Sequence, residues 1–251
     1  MDEQIEREDA NDFKITVVFD NFPYKEGLES SWGFSALVNT PGENILFDTG
    51  GDGNMLLSNM QKLQIVPGSI DIIVFSHIHG DHTGGLFAFL KQNSDVNVFV
   101  PQAFGDKFKN KVTESGAEIT EVEESRQICK NVYSTGQLGL LIKEQGLVLK
   151  TDKGLILITG CAHPGIVKMV KVAKGIFKED IVLAMGGFHL EWSTKGKIQK
   201  VISSFKESGV RYAGPCHCTG EKARAIFKKE YEEHFIEIGA GRIITMDDLK
   251  G

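Results

Sequence analysis

The sequence predicts an α/β fold in which β-strands lead directly into polar loops and helices. Short runs of β-branched and aromatic residues in the first half of the chain indicate strands of a sheet. After residue 154, an apolar strand, a polar junction and a helix follow one another three times. Because 41% of the 251 residues are hydrophobic and no Pro- or Ser-rich linker divides them, one core is expected. The expected boundaries are a polar N-terminal tail at residues 1–12 and a single domain at residues 13–251.

The elements of the first half are mostly strands. Strand patterns occur at residues 14–20, 34–38 and 44–47, with a Pro-Gly turn before the last of them. Residues 52–65 carry apolar side chains at helical spacing, and the Pro-Gly pair after them ends this predicted helix. The next apolar run, at residues 72–75, is short and β-branched, so a buried strand is expected there.

The second half alternates strands and helices. After an apolar helix that ends at Leu90, strands are expected at residues 96–100 and at several places within residues 117–159. Three strand-to-helix units then begin near residues 155, 181 and 210. Six of the seven His residues lie at junctions where a strand ends. Ligands bind at the carboxyl ends of strands in open α/β sheets, so we expect the functional site there.

The junction after residues 72–75 concentrates metal-binding side chains. Three imidazoles and one carboxylate lie within six residues: His77, His79, Asp81 and His82. Nitrogen and oxygen donors that converge at one strand end are typical of a divalent metal site. A polar loop without a ligand is the alternative, but this composition rarely arises by chance in so short a segment. The sequence therefore predicts a metal site here.

The later junction histidines each have a structural alternative. His163 precedes a proline and could cap the first turn of a helix. His189 could be a ligand, a substrate contact or a buried hydrogen-bonding residue. His217 lies between Cys216 and Cys218, but this triplet lacks the Cys-x-x-Cys pairs of structural zinc sites. We therefore expect a role for the imidazole and only packing for the two thiols.

Charge and composition restrict the partners and the compartment. A net charge of −6 argues against a surface that coats nucleic acid. The first 12 residues are acidic and polar, so we expect neither a signal peptide nor a membrane anchor, and we predict a cytoplasmic protein. The cysteines, at positions 129, 161, 216 and 218, are expected to stay reduced. The predicted partner is a small molecule, and the formation of a homo-oligomer is left open.

These residues resemble the metallo-β-lactamase superfamily over nearly the whole chain. The resemblance rests on Phe-Asp-Thr-Gly at residues 47–50, on the His-x-His-x-Asp-His segment and on the ordered junction histidines. Finer motifs, such as Gly-Gly-Phe-His-Leu at residues 186–190, are similar to a subgroup of metal-dependent hydrolases related to an archaeal dihydropterin-ribofuranosyl-aminobenzene phosphate synthase. The resemblance implies a four-layer αββα sandwich, two mixed β-sheets flanked by helices, with one or two metal ions at one edge.

The resemblance also implies roles for individual residues. Two groups of metal ligands are expected: His77, His79 and His163 in the first, and Asp81, His82 and His217 in the second. Asp48 would hold a ligand ring or a loop amide in place from behind, although a turn or helix-cap role is the alternative. Zinc is the expected ion, and manganese and iron also accept such ligand sets.

Two departures from the superfamily pattern bear on the site. Many members place an acidic residue between the two metals, but residues 181–190 contain no Asp or Glu. Three alternatives follow: His189 replaces the acid as a terminal ligand, the second metal is bound more weakly, or His189 contacts the substrate. Relatives are expected to carry His where this chain has Trp32. Trp32 is expected to line the pocket, together with Asp20, Asn21 and His189.

The expected chemistry falls into three classes. The first is hydrolysis of a small anionic ester by metal-activated hydroxide, with a phosphate-containing ester as the expected substrate and Asp81 or His189 on the proton path. The missing acid would leave the site more positive and so favour an anion. The second class is a transferase resembling the pterin synthase, with a diphosphate leaving group. The third is a non-catalytic metal-binding or effector-sensing module.

Overall fold

Two β-sheets packed face to face form the centre of the structure. The computed structural model describes residues 13–250, so the predicted tail at residues 1–12 lies outside the described residues. The strands in chain order are β1 (Lys14–Phe19), β2 (Ser35–Asn39), β3 (Asn44–Phe47), β4 (Ile72–Val74), β5 (Asn97–Pro101), β6 (Glu118–Val122), β7 (Arg126–Cys129), β8 (Val132–Ser134), β9 (Leu147–Thr151), β10 (Gly154–Thr159), β11 (Ile181–Gly187), β12 (Tyr212–Cys216) and β13 (Ile243–Thr245). Within the described residues, the first sheet has the order β13-β1-β2-β3-β4-β5-β6 and the second β12-β11-β10-β9-β8-β7.

Helices cover the outer face of each sheet. They are α1 (Gly53–Lys62), α2 (Gly80–Thr83), α3 (Leu86–Leu90), α4 (Asp106–Glu114), α5 (Ile166–Phe177), α6 (Lys195–Glu207) and α7 (Glu221–Tyr231). Every helix within residues 13–250 falls short of the length and apolarity that crossing a membrane requires.

Alternation along the strands separates three hydrophobic cores. In β3, Phe47 faces the second sheet, whereas Leu46 packs against the helices of the first. In β10, Ile158 likewise faces the first sheet, whereas Leu157 packs under α5 and α6. The layers are therefore helix, sheet, sheet and helix, and the predicted fold class is confirmed.

Parallel pairing brings the site loops to one edge. Strands β3 and β4 are parallel in the first sheet, and β10, β11 and β12 are parallel in the second. Their carboxyl ends are therefore adjacent within each sheet.

The metal-binding segment is only partly a loop, since α2 begins inside it at Gly80 and carries Asp81 and His82. The predicted helix at 52–65 is shorter than expected and ends at Lys62.

Candidate metal centre

Five strand ends supply the side chains of the site. Asp48 follows β3, and the segment from His77 to His82 follows β4. Cys161 and His163 follow β10, His189 follows β11, and His217 comes directly after β12. The structure thus brings together residues that are up to 169 positions apart in the chain, as the numbering of Asp48 and His217 gives directly (217 − 48).

Three imidazole nitrogens converge in a first group. His79 Nδ1 lies 3.1 Å from His77 Nε2 and 3.1 Å from His163 Nε2. The other ring nitrogen of His77, Nδ1, lies 2.9 Å from Ser76 Oγ. These three rings are the ones that the sequence assigns to the first metal position, and the structure brings them together.

A second group is formed by one carboxylate and two imidazoles. Asp81 Oδ2 lies 3.2 Å from His217 Nε2 and 3.5 Å from His82 Nε2. His82 Nδ1 lies 2.7 Å from Asp48 Oδ2, and His217 Nδ1 lies 2.9 Å from Asn21 Oδ1. The structure therefore also brings together the three residues assigned to the second position.

The separations between donor atoms fit coordination geometry. Tetrahedral coordination with bonds of about 2.0–2.3 Å places neighbouring donors roughly 3.3–3.8 Å apart. The observed separations, 3.1 Å in the first group and 3.2–3.5 Å in the second, lie near or slightly below the lower end of this range. Imidazole and carboxylate donors suit zinc, manganese and iron alike. Both groups could therefore hold a divalent transition ion.

Hydrogen bonds from behind set the ring tautomers. A carboxylate or amide oxygen only accepts, so His82 donates from Nδ1 to Asp48, and His217 donates from Nδ1 to Asn21. The Ser76 hydroxyl donates to Asp48 Oδ2 at 2.7 Å, so it accepts from His77 Nδ1. In each ring the Nε2 lone pair is left to face the donor cluster. This is how neighbouring groups orient metal-binding imidazoles.

Two rings of the first group, those of His77 and His163, are held in the neutral form. Burial and the surrounding imidazole rings lower the pKa of His77. Burial and the nearby rings of His189 and His79 lower the pKa of His163 to about 4. Metals bind the neutral imidazole, so both rings are ready to coordinate at neutral pH.

Carboxylates and nearby rings shift the pKa values of two residues in the second group, His82 and Asp81. Burial opposes a charge on His82, but the Asp48 carboxylate outweighs it and raises the pKa of His82. Burial also opposes the charge on Asp81, but the nearby rings of His217 and His82 lower the pKa of Asp81. Asp81 is therefore an anion at neutral pH, which is the form that coordinates a cation.

A buried carboxylate that the sequence did not single out holds the loop after β10. Glu144 accepts hydrogen bonds from the backbone N–H groups of Cys161 at 2.9 Å, Ala162 at 2.7 Å and His163 at 2.8 Å. Burial raises the pKa of Glu144 to about 7, against the effect of these hydrogen bonds. Glu144 lies in a segment expected only to form strands, so no local pattern distinguished it.

The same loop approaches the first sheet very closely. A Cβ atom on Gly160 would collide with the Ser76 side chain and meet Asp48 Oδ2 at 3.0 Å. Only glycine therefore allows the loop to come this near to the residues that orient His77 and His82.

Cys161 is the second functional candidate that sequence reasoning missed. Its Sγ atom lies 3.3 Å from His82 Nε2 and 3.4 Å from His217 Nε2. Its position two residues before His163, at the same junction, is the signal that could have identified it. Cys218, one of the two thiols expected only to pack, lies with Cys161 and His189 in a third group of possible ligands.

Backbone strain is concentrated at these strand ends. Four non-glycine residues of the site adopt left-handed backbone conformations: Asp48 (φ 57°), Ala162 (φ 57°), His189 (φ 52°) and His217 (φ 45°). Such conformations are uncommon for residues with a Cβ atom and cluster at functional sites. The fold holds these side chains in place at some cost in local backbone energy.

His189 lies at the open side of the cluster. Its ring centroid is 4.5 Å from that of His163, and the side chain is exposed. It lines a cavity of about 620 Å³ with His79, His163 and Lys168, and a second of about 230 Å³ with Trp32. A hydrogen bond with Cys218 raises the pKa of His189 despite partial burial.

Apolar side chains surround the entrance to both cavities. Leu140, Leu141 and Trp192 are 92%, 97% and 93% exposed, which is unusual for large hydrophobic residues. Trp32 lies with its ring centroid 4.9 Å from that of His217. Its placement at the pocket is the one that the sequence predicted.

Asp20 and Asn21 lie behind the site and are absent from the lining of these two cavities. Asp20 is fully buried and accepts a hydrogen bond from Phe22 N at 2.8 Å. Burial raises the pKa of Asp20 to about 6. Asn21 accepts from His217 and from Gly33 N, so it positions a ring rather than a substrate. The expectation that these two residues line the pocket is therefore corrected.

The chain belongs to the metallo-beta-lactamase superfamily, whose family description matches residues 33–163. It is 33% identical to the 7,8-dihydropterin-6-methyl-4-(beta-D-ribofuranosyl)-aminobenzene-5'-phosphate synthase of Methanocaldococcus jannaschii, over 91% of this chain and 95% of that protein. A solved metal-dependent hydrolase of the beta-lactamase superfamily, Tm1679, is 31% identical and superposes with a TM-score of 0.78, over 92% of this chain and 98% of the other. The superfamily is one of enzymes, so the predictions of family and of an enzyme are confirmed.

More distant structures share the fold alone. The metallo-beta-lactamase fold protein YhfI from Bacillus subtilis is 13% identical, with a TM-score of 0.69, over 94% of this chain and all of the other. At that identity the likeness says nothing about substrate.

Proposed function

We propose that this enzyme is a metal-dependent hydrolase of a small anionic ester, with a phosphate-containing ester as the leading substrate class. The observation that carries the proposal is the convergence of six predicted ligands in two groups with coordination spacing. Zinc is the ion we favour for both groups, since the donors are mainly imidazoles. The cytoplasmic location and the lack of a nucleic-acid partner stay predictions.

The charge of the site supports an anionic substrate. In the described part of the chain, Asp81 is the carboxylate that faces the two groups of imidazoles. Asp48 and Glu144 are directed at ring and backbone donors instead. Two divalent ions would carry four positive charges against the single charge of Asp81, so an excess of positive charge is expected.

Two lysines extend this preference into the cavities. Lys168 lines the cavity of about 620 Å³ beside His163 and His189. Lys197 lines the cavity of about 230 Å³ beside Trp32 and His189. An ammonium group binds phosphate as a point charge, so the two lysines could hold a phosphate or diphosphate group near the ligand cluster.

The protein's own residues would divide the work of hydrolysis. When bound, divalent ions lower the pKa of water toward about 7 and stabilise charge on a substrate oxygen. His189, exposed beside His163, is placed to exchange a proton with the leaving-group oxygen. The Asp81 carboxylate contacts the Nε2 atoms of His217 and His82 and would keep these two rings in position. Trp32 and Trp192 would limit the access of water to the substrate.

The direct test is a substrate panel with the metal-loaded enzyme. Phosphate monoesters and diesters are assayed beside neutral lactones, and turnover of the phosphate esters is expected to exceed that of the lactones. Lys168→Gln should raise KM for the phosphate ester about tenfold, the value of a lost charged hydrogen bond. Lys171→Gln, on the same helix but outside the cavity lining, is the matched control. Preferential lactone turnover would overturn the proposed substrate class.

A transferase is the second candidate, and the 33% identity to the archaeal phosphate synthase favours it. The apolar entrance, with Trp192, Leu140 and Leu141 almost fully exposed, suits a second substrate with a flat ring. Product analysis separates the two candidates. A transferase forms a new bond between donor and acceptor only when both are present, whereas a hydrolase releases the same product without an acceptor.

A further inference from the structure

Cys161 lies where the two candidate ligand groups meet. Its Sγ atom belongs to a group with Asp81, His82 and His217, in which all ligand atoms lie within 4.8 Å of one another. The same Sγ atom belongs to a second group with His77 and His163, under the same limit. A single sulfur atom is therefore within reach of both predicted metal positions.

The sulfur has little freedom to move away from this place. Cys161 is 3% exposed, and its backbone N–H is held by Glu144 at 2.9 Å. The next two backbone N–H groups are bound by the same carboxylate. On the other side, a Cβ atom on Gly187 would meet the Cys161 Cα atom, so β11 packs directly against this loop.

The strand that packs against this loop supplies no carboxylate at this point. Strand β11 and the residues after it, through Leu190, contain no Asp or Glu. Among the described residues that form both ligand groups, Cys161 is the one shared member. Its distances of 3.3 Å and 3.4 Å to two imidazole nitrogens match the spacing of ligands around one ion.

From this geometry we infer that the Cys161 thiolate is a metal ligand shared by the two ion positions. The inference rests on the metal centre of the proposed function and adds a ligand to it. On binding, the S–H proton leaves to solvent, and sulfur–metal bonds form in its place. With Asp81 and Cys161 both anionic, two divalent ions would still leave about two positive charges, so the preference for an anionic substrate is kept.

A sulfur ligand would influence which metal ion the site binds. A thiolate is softer than a carboxylate and favours zinc over manganese among the ions considered. The site would therefore select its metal through a residue that is two positions from His163 rather than through the histidines themselves.

Cobalt substitution tests the inference without an activity assay. Wild type loaded with Co²⁺ is expected to have a near-ultraviolet thiolate-to-cobalt absorption band. Cys161→Ser should lose this band and bind its ions more weakly, by at least about tenfold. Cys129→Ser, a half-buried thiol outside the site, is the matched control and should keep the band. Cys218→Ser tests the neighbouring thiol, and its band should also persist because Cys218 belongs to neither of the two ligand groups that share Cys161.

X-ray absorption on the zinc-loaded wild type covers the case in which Cys161→Ser does not fold. A sulfur neighbour at about 2.3 Å from zinc is expected. Bound zinc with nitrogen and oxygen neighbours alone would overturn the role of Cys161 and leave the metal centre intact. A cobalt band that persists in Cys161→Ser, or that disappears in Cys218→Ser, would likewise overturn the role of Cys161 as a ligand. A wild type that binds no transition ion would overturn the proposed function as well.

Discussion

His82 donates from Nδ1 to Asp48 Oδ2 across 2.7 Å, and both side chains are fully buried. Asp48 also accepts from Ser76 N and Ser76 Oγ, each at 2.7 Å, and Ser76 in turn contacts His77. One carboxylate therefore orients a ring in each of the two ligand groups. The Asp48 backbone, with φ at 57°, is strained to place it there.

Asp48→Asn tests this dependence. The amide nitrogen would face either Ser76 N, which donates to Asp48 Oδ1, or both the Ser76 hydroxyl and His82 Nδ1, which donate to Asp48 Oδ2. In either case a buried donor would lose its acceptor, and the support of the His77 and His82 rings would weaken. We expect the dissociation constants of the bound ions to rise about 10- to 100-fold. Competition with a chromophoric chelator measures the change. Asp95→Asn, at an exposed loop, is the control, and equal affinities in the two variants would contradict the assignment.

His189→Ala and His217→Ala separate ligand from substrate contact. His217 lies inside the second group, so its variant should bind one ion fewer than wild type. His189 lies at the exposed side, so its variant should keep all ions and lose about 10²- to 10⁴-fold in kcat. Metal content per chain and steady-state kinetics are the measurements. Loss of an ion from His189→Ala would make His189 a ligand.

Glu144→Gln should weaken the loop that carries Cys161 and His163. A glutamine has one acceptor oxygen, so the N–H group of His163 would face an amide donor in a buried place. We expect a loss of about 1–3 kcal/mol in the free energy of unfolding. Urea titration of the variant is compared with that of Glu124→Gln, an exposed carboxylate. A loss no larger than that of the control would show that the three hydrogen bonds do not matter.

Asp20 predicts a pH effect on the metal-free protein. Burial raises the pKa of Asp20 from 3.8 to about 6, so folding disfavours its charged form. Protonated Asp20 therefore adds on the order of 2–3 kcal/mol to the free energy of unfolding relative to its charged form. This contribution is fully present below about pH 4 and is lost as the pH rises through about 6. Asp20→Asn cannot ionise, so it should gain stability relative to wild type between these pH values.

Urea unfolding at pH 4, 5, 6 and 7 measures this difference. The exposed Asp152→Asn serves as the control, and its stability should follow that of wild type at each pH. If the Asp20→Asn curve also stays parallel to the wild-type curve, the carboxyl group of Asp20 does not titrate as described.

The ligand residues could be predicted from sequence because each lies at a local boundary. His77, His163 and His217 all follow an apolar strand, and the carboxyl ends of such strands meet at one edge. Their position in the chain therefore indicates their position in the fold. The strand and helix patterns predicted an α/β fold, whereas the four-layer αββα arrangement was implied by the resemblance to the superfamily.

Other parts of the site depend on contacts that no local pattern records. Glu144 reaches Cys161 from 17 positions away, and neither segment indicates that a carboxylate is needed. Asp20 ends a strand, like the ligand residues, but its side chain is buried behind the site. Strand boundaries give the edge at which a residue lies, whereas side-chain direction depends on how the two sheets pack.

The ligand groups take members from both sheets, with His77 and His82 from the first and His163 and His217 from the second. Any ion held between them would act as a cross-link between the two sheets, in addition to the apolar packing and the hydrogen bonds that already join them. Ion binding should therefore stabilise the folded chain as a whole. Chelation should first increase amide hydrogen exchange at this seam, while the opposite ends of the strands stay protected.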